Sequence, residues 1–334
     1  MGVTYARAGV SIARGDSFVR FLRDRLHAAR TGSMVGEIGL FGGFHSGRFP
    51  GYRHPVLVAS TDGVGTKLLV AQLLDRHEGL GEDLVNHCVN DIAVCGARPL
   101  FFLDYMAFGR LSLRRAKSLV RGVAKACREN GCALLGGETA EMPGLYRDEQ
   151  YDLAGTIVGV AERSGIPTGR GMQAGDVIIG LPSTGLHTNG YSLARKVLLK
   201  RFDLHKRTPE LGMTLGDALL AVHRSYRTVL ERLGAEFRLE ACAHVTGGGI
   251  EGNTRRVVPA RLRPRIRWDA WERPPLFSLI QRAGRVPERD MRRTFNLGIG
   301  LTIIVRERSA EEVLRWLRRR GERAVMLGDI GPCI

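Results

Sequence analysis

The sequence predicts an α/β protein built as two domains. Three observations carry that reading. The chain has 334 residues, enough for two separate cores. Apolar runs of strand length alternate with amphipathic stretches of helical period. Midway, the segment "RSGIPTGRGMQAGD" (163–176) breaks the pattern with Gly, Pro and polar residues, as a boundary does. The boundary is placed between residues 168 and 169, giving domains 1–168 and 169–334.

The elements follow in order. "HPVLVAST" has the continuous apolar content of a buried strand. "KLLVAQLLDRH" spaces Leu69, Leu73 and Leu74 on one face of a helix. In "GEDLVNHCVNDIAVCGARP", Leu84, Cys88, Val89 and Ile92 recur at helical spacing, and Pro99 marks the exit. "LFFLDYMAF" reads as a strand. "LSLRRAKSLVRGVAKACREN" reads as a helix with Leu119, Val120, Val123 and Cys127 inward and Gly131 at its end. "CALLGG" and "YDLAGTIVGVAE" are further strands. The second series has strand "DVIIGLP", loop "STGLHTNG", and helices "YSLARKVLLKRF" and "LGDALLAVHRSYRTVLERL". Strand "FNLGIGLTIIV", helix "AEEVLRWLRRRG" and strand "RAVMLGDI" close it.

Composition narrows the function. Hydrophobic residues at 44% and charged residues at 25% fit a globular chain. No apolar run reaches membrane-span length, and the N-terminus lacks a signal-peptide core, so the expectation is a cytoplasmic protein without a membrane partner. The six cysteines are scattered with no C-x-x-C pair, which argues against a disulfide framework or zinc site. A net charge of +16 raises a nucleic-acid reading. However, the excess is arginine spread along the chain. Its densest runs, "RLRPRIRW" and "RWLRRRGER", lack aromatics interleaved for base stacking. A small anionic substrate fits the charge equally well, and no nucleic-acid partner is expected.

Four places put polar residues where a core would not want them. "ASTDGVGTK" ends a strand on Asp62 and enters a helix through Gly63, Gly65, Thr66 and Lys67, a turn whose amides can meet an anion. A plain strand-to-helix turn is the bland alternative. Asn90 and Asp91 interrupt an apolar helix, where a carboxylate is costly unless paired or metal-bound. An exposed stripe with His87 is the alternative there. "LLGGETAEMPG" opens a buried strand onto Glu138, or is an ordinary turn. Asp62, Asp91 and Glu138 together suit Mg²⁺ shared with nucleotide phosphates. Finally, "STGLHTNGYSLAR" gathers Ser183, Thr184, His187 and Asn189 before a helix. "HVTGGGIEGN" adds Thr246, Gly247 and Gly248, and "GEIGLFGGFHSG" adds a glycine segment with Gly42 and Gly43 that can cover phosphates or be a surface loop. Tandem GxGxxG and P-loop spacings are absent.

Seven stretches in order make a specific resemblance: "PVLVASTDGVGTKL", "LVNHCVNDIAVCGARPLFFLDYMAFG", "LLGGETAEMPG", "YDLAGTIVGV", "GLHTNGYSLAR", "HVTGGGI" and "RTFNLGIGL". Essentially the whole chain, from about Tyr5, resembles the phosphoribosylformylglycinamidine cyclo-ligase (aminoimidazole ribonucleotide synthetase) family. The resemblance implies a homodimer whose N-terminal domains pair into a β-barrel, with a C-terminal α/β layer domain completing the active site. It implies ATP-dependent ring closure of formylglycinamidine ribonucleotide in purine synthesis. It further implies Asp91 and Glu138 as Mg²⁺ ligands with Asp62 as a third. Lys67 and the glycines around it then hold phosphate or substrate, with Lys67 and Asp62 counted among the catalytic residues, and Gly63, Gly65, Thr66, Gly42, Gly43 and Asn90 fall at ATP. Ser183, Thr184, His187, Asn189, Thr246, Gly247 and Gly248 face the substrate, with His187 a candidate proton carrier. Two departures bear on the ATP contacts: the N-terminal "RFLRDRLHAAR" has arginines where relatives carry lysines, and "GGFHSG" replaces a more apolar continuation. Related phosphorylating enzymes are the rivals, first a formylglycinamidine ribonucleotide synthetase-like enzyme, which is generally a longer chain. Residues 31–51 lack the cysteine of a selenophosphate synthetase, and Ile334 follows Cys333 where a hydrogenase-maturation relative ends on cysteine.

Overall fold

The computed structural model describes residues 11–28, 34–35 and 42–333. The chain forms two units: Met1–Ile92 with Arg98–Glu162, and Ala93–Ala97 with Arg163–Ile334. The first boundary residues, 163–168, thus travel with the second unit, slightly ahead of the expected division. Residues 36–41 of the expected glycine segment lie outside the described residues.

The first unit runs α1 (Ile12–Ala28), β1 (Met34–Val35), β2 (Phe44–His45), β3 (Pro55–Gly63), α2 (Lys67–Leu74), α3 (Glu78–Ala93), β4 (Arg98–Phe108), α4 (Leu113–Glu129), β5 (Ala133–Glu141) and β6 (Tyr151–Glu162). Its sheet has the order β3-β6-β4-β5, antiparallel except for the parallel pair β4–β5. A parallel pair needs a crossover, and α4 supplies it. Ser112 caps α4, and Leu119, Val120, Val123 and Cys127 are buried as their spacing requires. Helices α3 and α4 meet backbone to backbone: a Cβ on Gly81 would lie 2.2 Å from the Leu119 carbonyl oxygen, and one on Gly122 1.9 Å from that of Glu78. Only glycine permits that approach. Along β6, buried residues alternate with half-buried ones, as in a sheet covered on one face. Helix α2 differs from its sequence reading. It buries Lys67, Leu68, Val70 and Ala71, while Leu73 is 60% exposed. The buried ammonium turns the helix away from its leucine stripe.

The second unit runs β7 (Val177–Pro182), α5 (Tyr191–Leu198), β8 (Arg207–Thr208), β9 (Met213–Thr214), α6 (Leu215–Leu220), α7 (Arg227–Glu236), β10 (Ala241–His244), α8 (Gly249–Arg255), β11 (Leu262–Ile266), α9 (Pro275–Gly284), α10 (Glu288–Thr294), β12 (Ile299–Val305), α11 (Glu307–Arg319) and β13 (Val325–Pro332). Its antiparallel sheet has the order β10-β12-β7-β13-β11. Ile179, Leu181, Leu301 and Ile303 pack with Leu230, Leu233, Val313 and Leu317 of α7 and α11. Ile178, Ile304 and Leu327 pack with Ile250 on the other face. A sheet covered on both faces explains why β12 is buried throughout and apolar but for Thr302.

In the second unit, β10, α8, β11, α9 and α10 have no counterpart in the sequence reading, and two expected elements differ from it. The single helix expected over 215–233 is broken between α6 and α7, with Ala221 in an extended conformation. Strand β12 begins at Ile299, because Leu297 and Gly298 take positive φ and form a turn.

Candidate active site

In the first unit, Asp62 closes β3 and Asp91 sits near the end of α3. The Ser60 hydroxyl donates to Asp91 Oδ2 at 2.9 Å, and His87 Nε2 lies 2.8 Å from Asp62 Oδ2. Both carboxylates therefore lie on the helix-covered side of the sheet. The buried Cys88 thiol of the same helix is pushed well above its ordinary range, first by burial and then by the charges of Asp91 and Asp62. Gly65 takes φ +55° to turn the chain into α2, and the Gly63 amide donates to Asp62 Oδ1 at 2.7 Å.

Glu138 does not join this pair. Across the sheet, Asp62 is in register with Gly155, Gly155 with Asp104, and Asp104 with Gly137. Three strand spacings separate β3 from β5, about 14 Å. Glu138 also shares the register of Tyr105, one residue on, and so lies on the opposite face. The expectation of one ion touching Asp62, Asp91 and Glu138 fails within one chain, because adjacent residues of a strand point to opposite sides.

Lys67 is also placed differently from its expected phosphate contact. Its Nζ is completely buried, 2.7 Å from Asp83 Oδ2. Burial lowers its pKa, while Asp83 opposes that shift. Asn90 is fully buried. Thr66 precedes α2 without capping it through its side chain. Gly42 faces open space, whereas a Cβ on Gly43 would meet Leu135 Cγ at 2.4 Å, so Gly43 is needed for packing on β5.

In the second unit the expected residues come together. The loop after β7 holds Ser183, whose hydroxyl reaches Gly185 O and Asn296 Oδ1 at 3.0 Å, and Thr184, whose hydroxyl donates to Val222 O at 2.5 Å. His187 is buried at φ +58°, and its Nε2 accepts from the Thr184 amide at 3.1 Å. Asn189 lies against the glycine loop, where a Cβ on Gly247 would stand 3.2 Å from Asn189 Oδ1. Asn253 fastens that loop, donating from Nδ2 to the carbonyls of Thr246, Gly247 and Gly249. Gly248 takes φ +104° just before α8.

Sequence reasoning missed three residues here. Asn296 holds the loop by donating to Gly185 O and accepting from Gly298 N. His223 and His244 lie beside His187. Asn296 stood in a recognised stretch, "RTFNLGIGL", and a polar residue within it was the available signal. His223 was hidden by the helical pattern, which ran through a segment that is not helical.

Two mixed α/β units with polar, glycine-rich loops at their strand ends define an α/β class of protein. Residues 52–161 match the family described as AIR synthase related protein, N-terminal domain, and residues 173–332 match its C-terminal domain. The chain belongs to this family. It is 45% identical over 333 residues to the phosphoribosylformylglycinamidine cyclo-ligase of Citrifermentans bemidjiense, covering 99% of this chain and 96% of that one. It is 46% identical to the protein of that name from Geobacter sulfurreducens, with the same coverage. Among solved structures, thiamine-monophosphate kinase from Stenotrophomonas maltophilia shares the fold, with a TM-score of 0.69 at 17% identity over 93% of each chain. Hydrogenase maturation protein HypE in complex with ATP also shares it, with a TM-score of 0.68 at 21% identity over 94% of this chain and 86% of that chain.

Proposed function

We infer that this chain is an ATP-dependent ligase that closes the imidazole ring of formylglycinamidine ribonucleotide, giving 5-aminoimidazole ribonucleotide, ADP and phosphate. The carrying observation is full-length identity near 45% to cyclo-ligases, with the expected loop residues assembled in the second unit. The formamide oxygen is a poor leaving group. ATP phosphorylates it, the amidine nitrogen attacks the same carbon, the C–N bond forms, and the C–O bond breaks as phosphate departs. The protein's share is positioning and charge neutralisation.

The acidic pair Asp62 and Asp91 supports a Mg²⁺ site. Mg²⁺ uses one or two carboxylates beside substrate phosphates, and Asp91, bonded to Ser60, and Asp62, beside His87 of the same helix, offer oxygen donors on the same side of the sheet. When bound, the ion neutralises phosphate charge. Glu138 is not needed for that set. In the second unit, Asn189 and the Thr246–Gly248 loop bind and orient the ribonucleotide, with Asn253 and Asn296 holding the loops in shape.

The enzyme works as a homodimer in the cytoplasm on small anions, without nucleic acid. The uncovered face of the first sheet, with Leu57 at 60% and Tyr105 at 40% exposure, supports pairing with a second copy. No described helix is long and apolar enough to cross a membrane. The test is direct. Purified protein with Mg²⁺, ATP and formylglycinamidine ribonucleotide should release ADP and phosphate in equal amounts with aminoimidazole ribonucleotide. Folded protein that releases no ADP on adding that substrate would overturn the assignment.

A further inference from the structure

Three imidazoles converge in the second unit. The nitrogens of His187, His223 and His244 lie within 4.8 Å of one another, and all three residues are buried. Such a cluster invites a metal reading, because neutral imidazoles suit Zn²⁺. The geometry argues otherwise. The His187 and His223 rings stack at 3.9 Å with 19° between planes. A ligand lone pair lies in the plane of its ring, so near-parallel stacked rings cannot aim at one ion. In addition, the Thr184 amide occupies the His187 Nε2 lone pair.

That amide contact shows the protonation of His187, as long as the stacked His223 ring holds Nε2 towards it. A backbone N–H only donates, so His187 Nε2 must accept, and the ring's proton sits on Nδ1. Protonating Nε2 would set two N–H groups against each other. His223 reinforces the same state. Its Nε2 lies 3.0 Å from His244 Nε2, a bond in which one ring donates and the other accepts. A further proton on this group would place positive charge against the stacked face of His187. The backbone conformation is unusual too. His187 holds φ +58°, a strained state for a non-glycine residue. Strand β12 makes room with Gly300, where a Cβ would fall 2.6 Å from His187 Cε1 and 2.1 Å from Tyr226 Oη.

We propose that His187 serves the ring closure as a neutral imidazole donating from Nδ1, and that His223 is the positioning residue that keeps it in that state. The proposal rests on the cyclo-ligase reading for its meaning, but not for its test. It removes His187 as the base that takes the proton lost by the attacking nitrogen. It leaves that ring a hydrogen-bond donor to an oxygen that gains negative charge.

The experiment uses the intact protein labelled with ¹⁵N-histidine. Long-range ¹H–¹⁵N correlations distinguish the two neutral tautomers from the imidazolium, and His187→Gln identifies the ring that disappears. The expected spectrum at neutral pH shows His187 neutral with its proton on Nδ1, unchanged by one equivalent of Zn²⁺. A proton on Nε2, a doubly protonated ring, or Zn²⁺ shifting all three rings together would overturn the proposal. A tautomer found as expected in protein that lacks turnover would sink the functional reading alone. Two variants then test His223. His223→Phe keeps a flat ring on the stack and should retain the His187 tautomer and the shape of the pH–rate profile. His223→Ala removes the stack and should mix the tautomers, lowering kcat about tenfold with KM little changed. An unchanged His187 spectrum and pH profile in His223→Ala would remove the positioning role. Should that variant fail to fold, loss of the Nδ1 tautomer in His223→Phe would do the same.

Discussion

Single side chains can be tested one by one for whether they build the units or serve chemistry. Lys67 and Asp83 form an ion pair that is almost completely withdrawn from water. Removing one partner leaves the other charge buried. Lys67→Met should therefore cost roughly 3–5 kcal/mol, and Lys67→Met with Asp83→Leu should recover much of the loss, as read by paired denaturant melts. Asp91→Asn tests the opposite class. The variant should melt near the parent yet lose at least about a hundredfold in turnover, with partial recovery at raised Mg²⁺. If Asp91 only bonds Ser60, turnover at limiting Mg²⁺ will stay near parental.

Asp104 gives a pH dependence with a definite sign. Burial pushes its carboxyl up to about 7, above its ordinary 3.8. The folded state then binds a proton that the unfolded state has released, so this group lowers stability as pH rises from about 4 to about 7. The full shift corresponds to about 4 kcal/mol, and residual solvent contact reduces it to roughly 2–4 kcal/mol. Asp104→Asn should flatten that part of the stability–pH curve and raise the melting temperature most at neutral pH. A curve of parental slope in the variant would show that the carboxyl is ionised in the fold at little cost.

At the scale of elements, close backbone approach fixes geometry that side-chain pattern does not. Gly81 and Gly122 bring α3 against α4, and α3 carries both His87 and Asp91. Gly122→Ala should force the helices apart at a cost of roughly 3 kcal/mol and shift Asp91 as well, so turnover should fall along with stability. A melt within a degree of the parent would show that the helices relax freely. The break between α6 and α7 is the other instance. It frees the Val222 carbonyl to accept from Thr184 and turns His223 inward to His244. Tyr226 then begins α7 with its hydroxyl donating to Pro182 O at 2.8 Å, which ties the break to the end of β7.

For the whole molecule, charge and the uncovered sheet face set the expectations. Leu57 and Tyr105 lie on the side of the first sheet away from α3 and α4. Light scattering should give twice the mass of a 36.7 kDa chain, and Leu57→Lys should shift the distribution towards monomer. A folded, active monomer at micromolar concentration would exclude the pairing. The net charge of +16 favours anionic ligands, and a triphosphate and a ribonucleotide, as proposed above, would match that preference.

Pattern in the chain was sufficient for most elements, because each amphipathic run had one period and one buried face. The four strands of the first sheet, β7, β12 and β13 of the second, and the inward residues of α4 were legible for that reason, whereas the short strands β10 and β11 were not. The loop residues around His187 and Thr246 stood out as polar side chains among glycines at strand ends, and the structure gathers them, with Asn253 and Asn296 fastening the loops. What pattern could not settle was direction. Whether Lys67 meets phosphate or Asp83 depends on which way α2 turns, and that is fixed by a helix that arrives from later in the chain. Whether Glu138 joins Asp62 depends on strand order and on a one-residue alternation of faces. The sequence alone determined which residues are available to chemistry. Tertiary structure decided which of them meet, because meeting is set by sheet order, register and close contact between segments far apart in the chain.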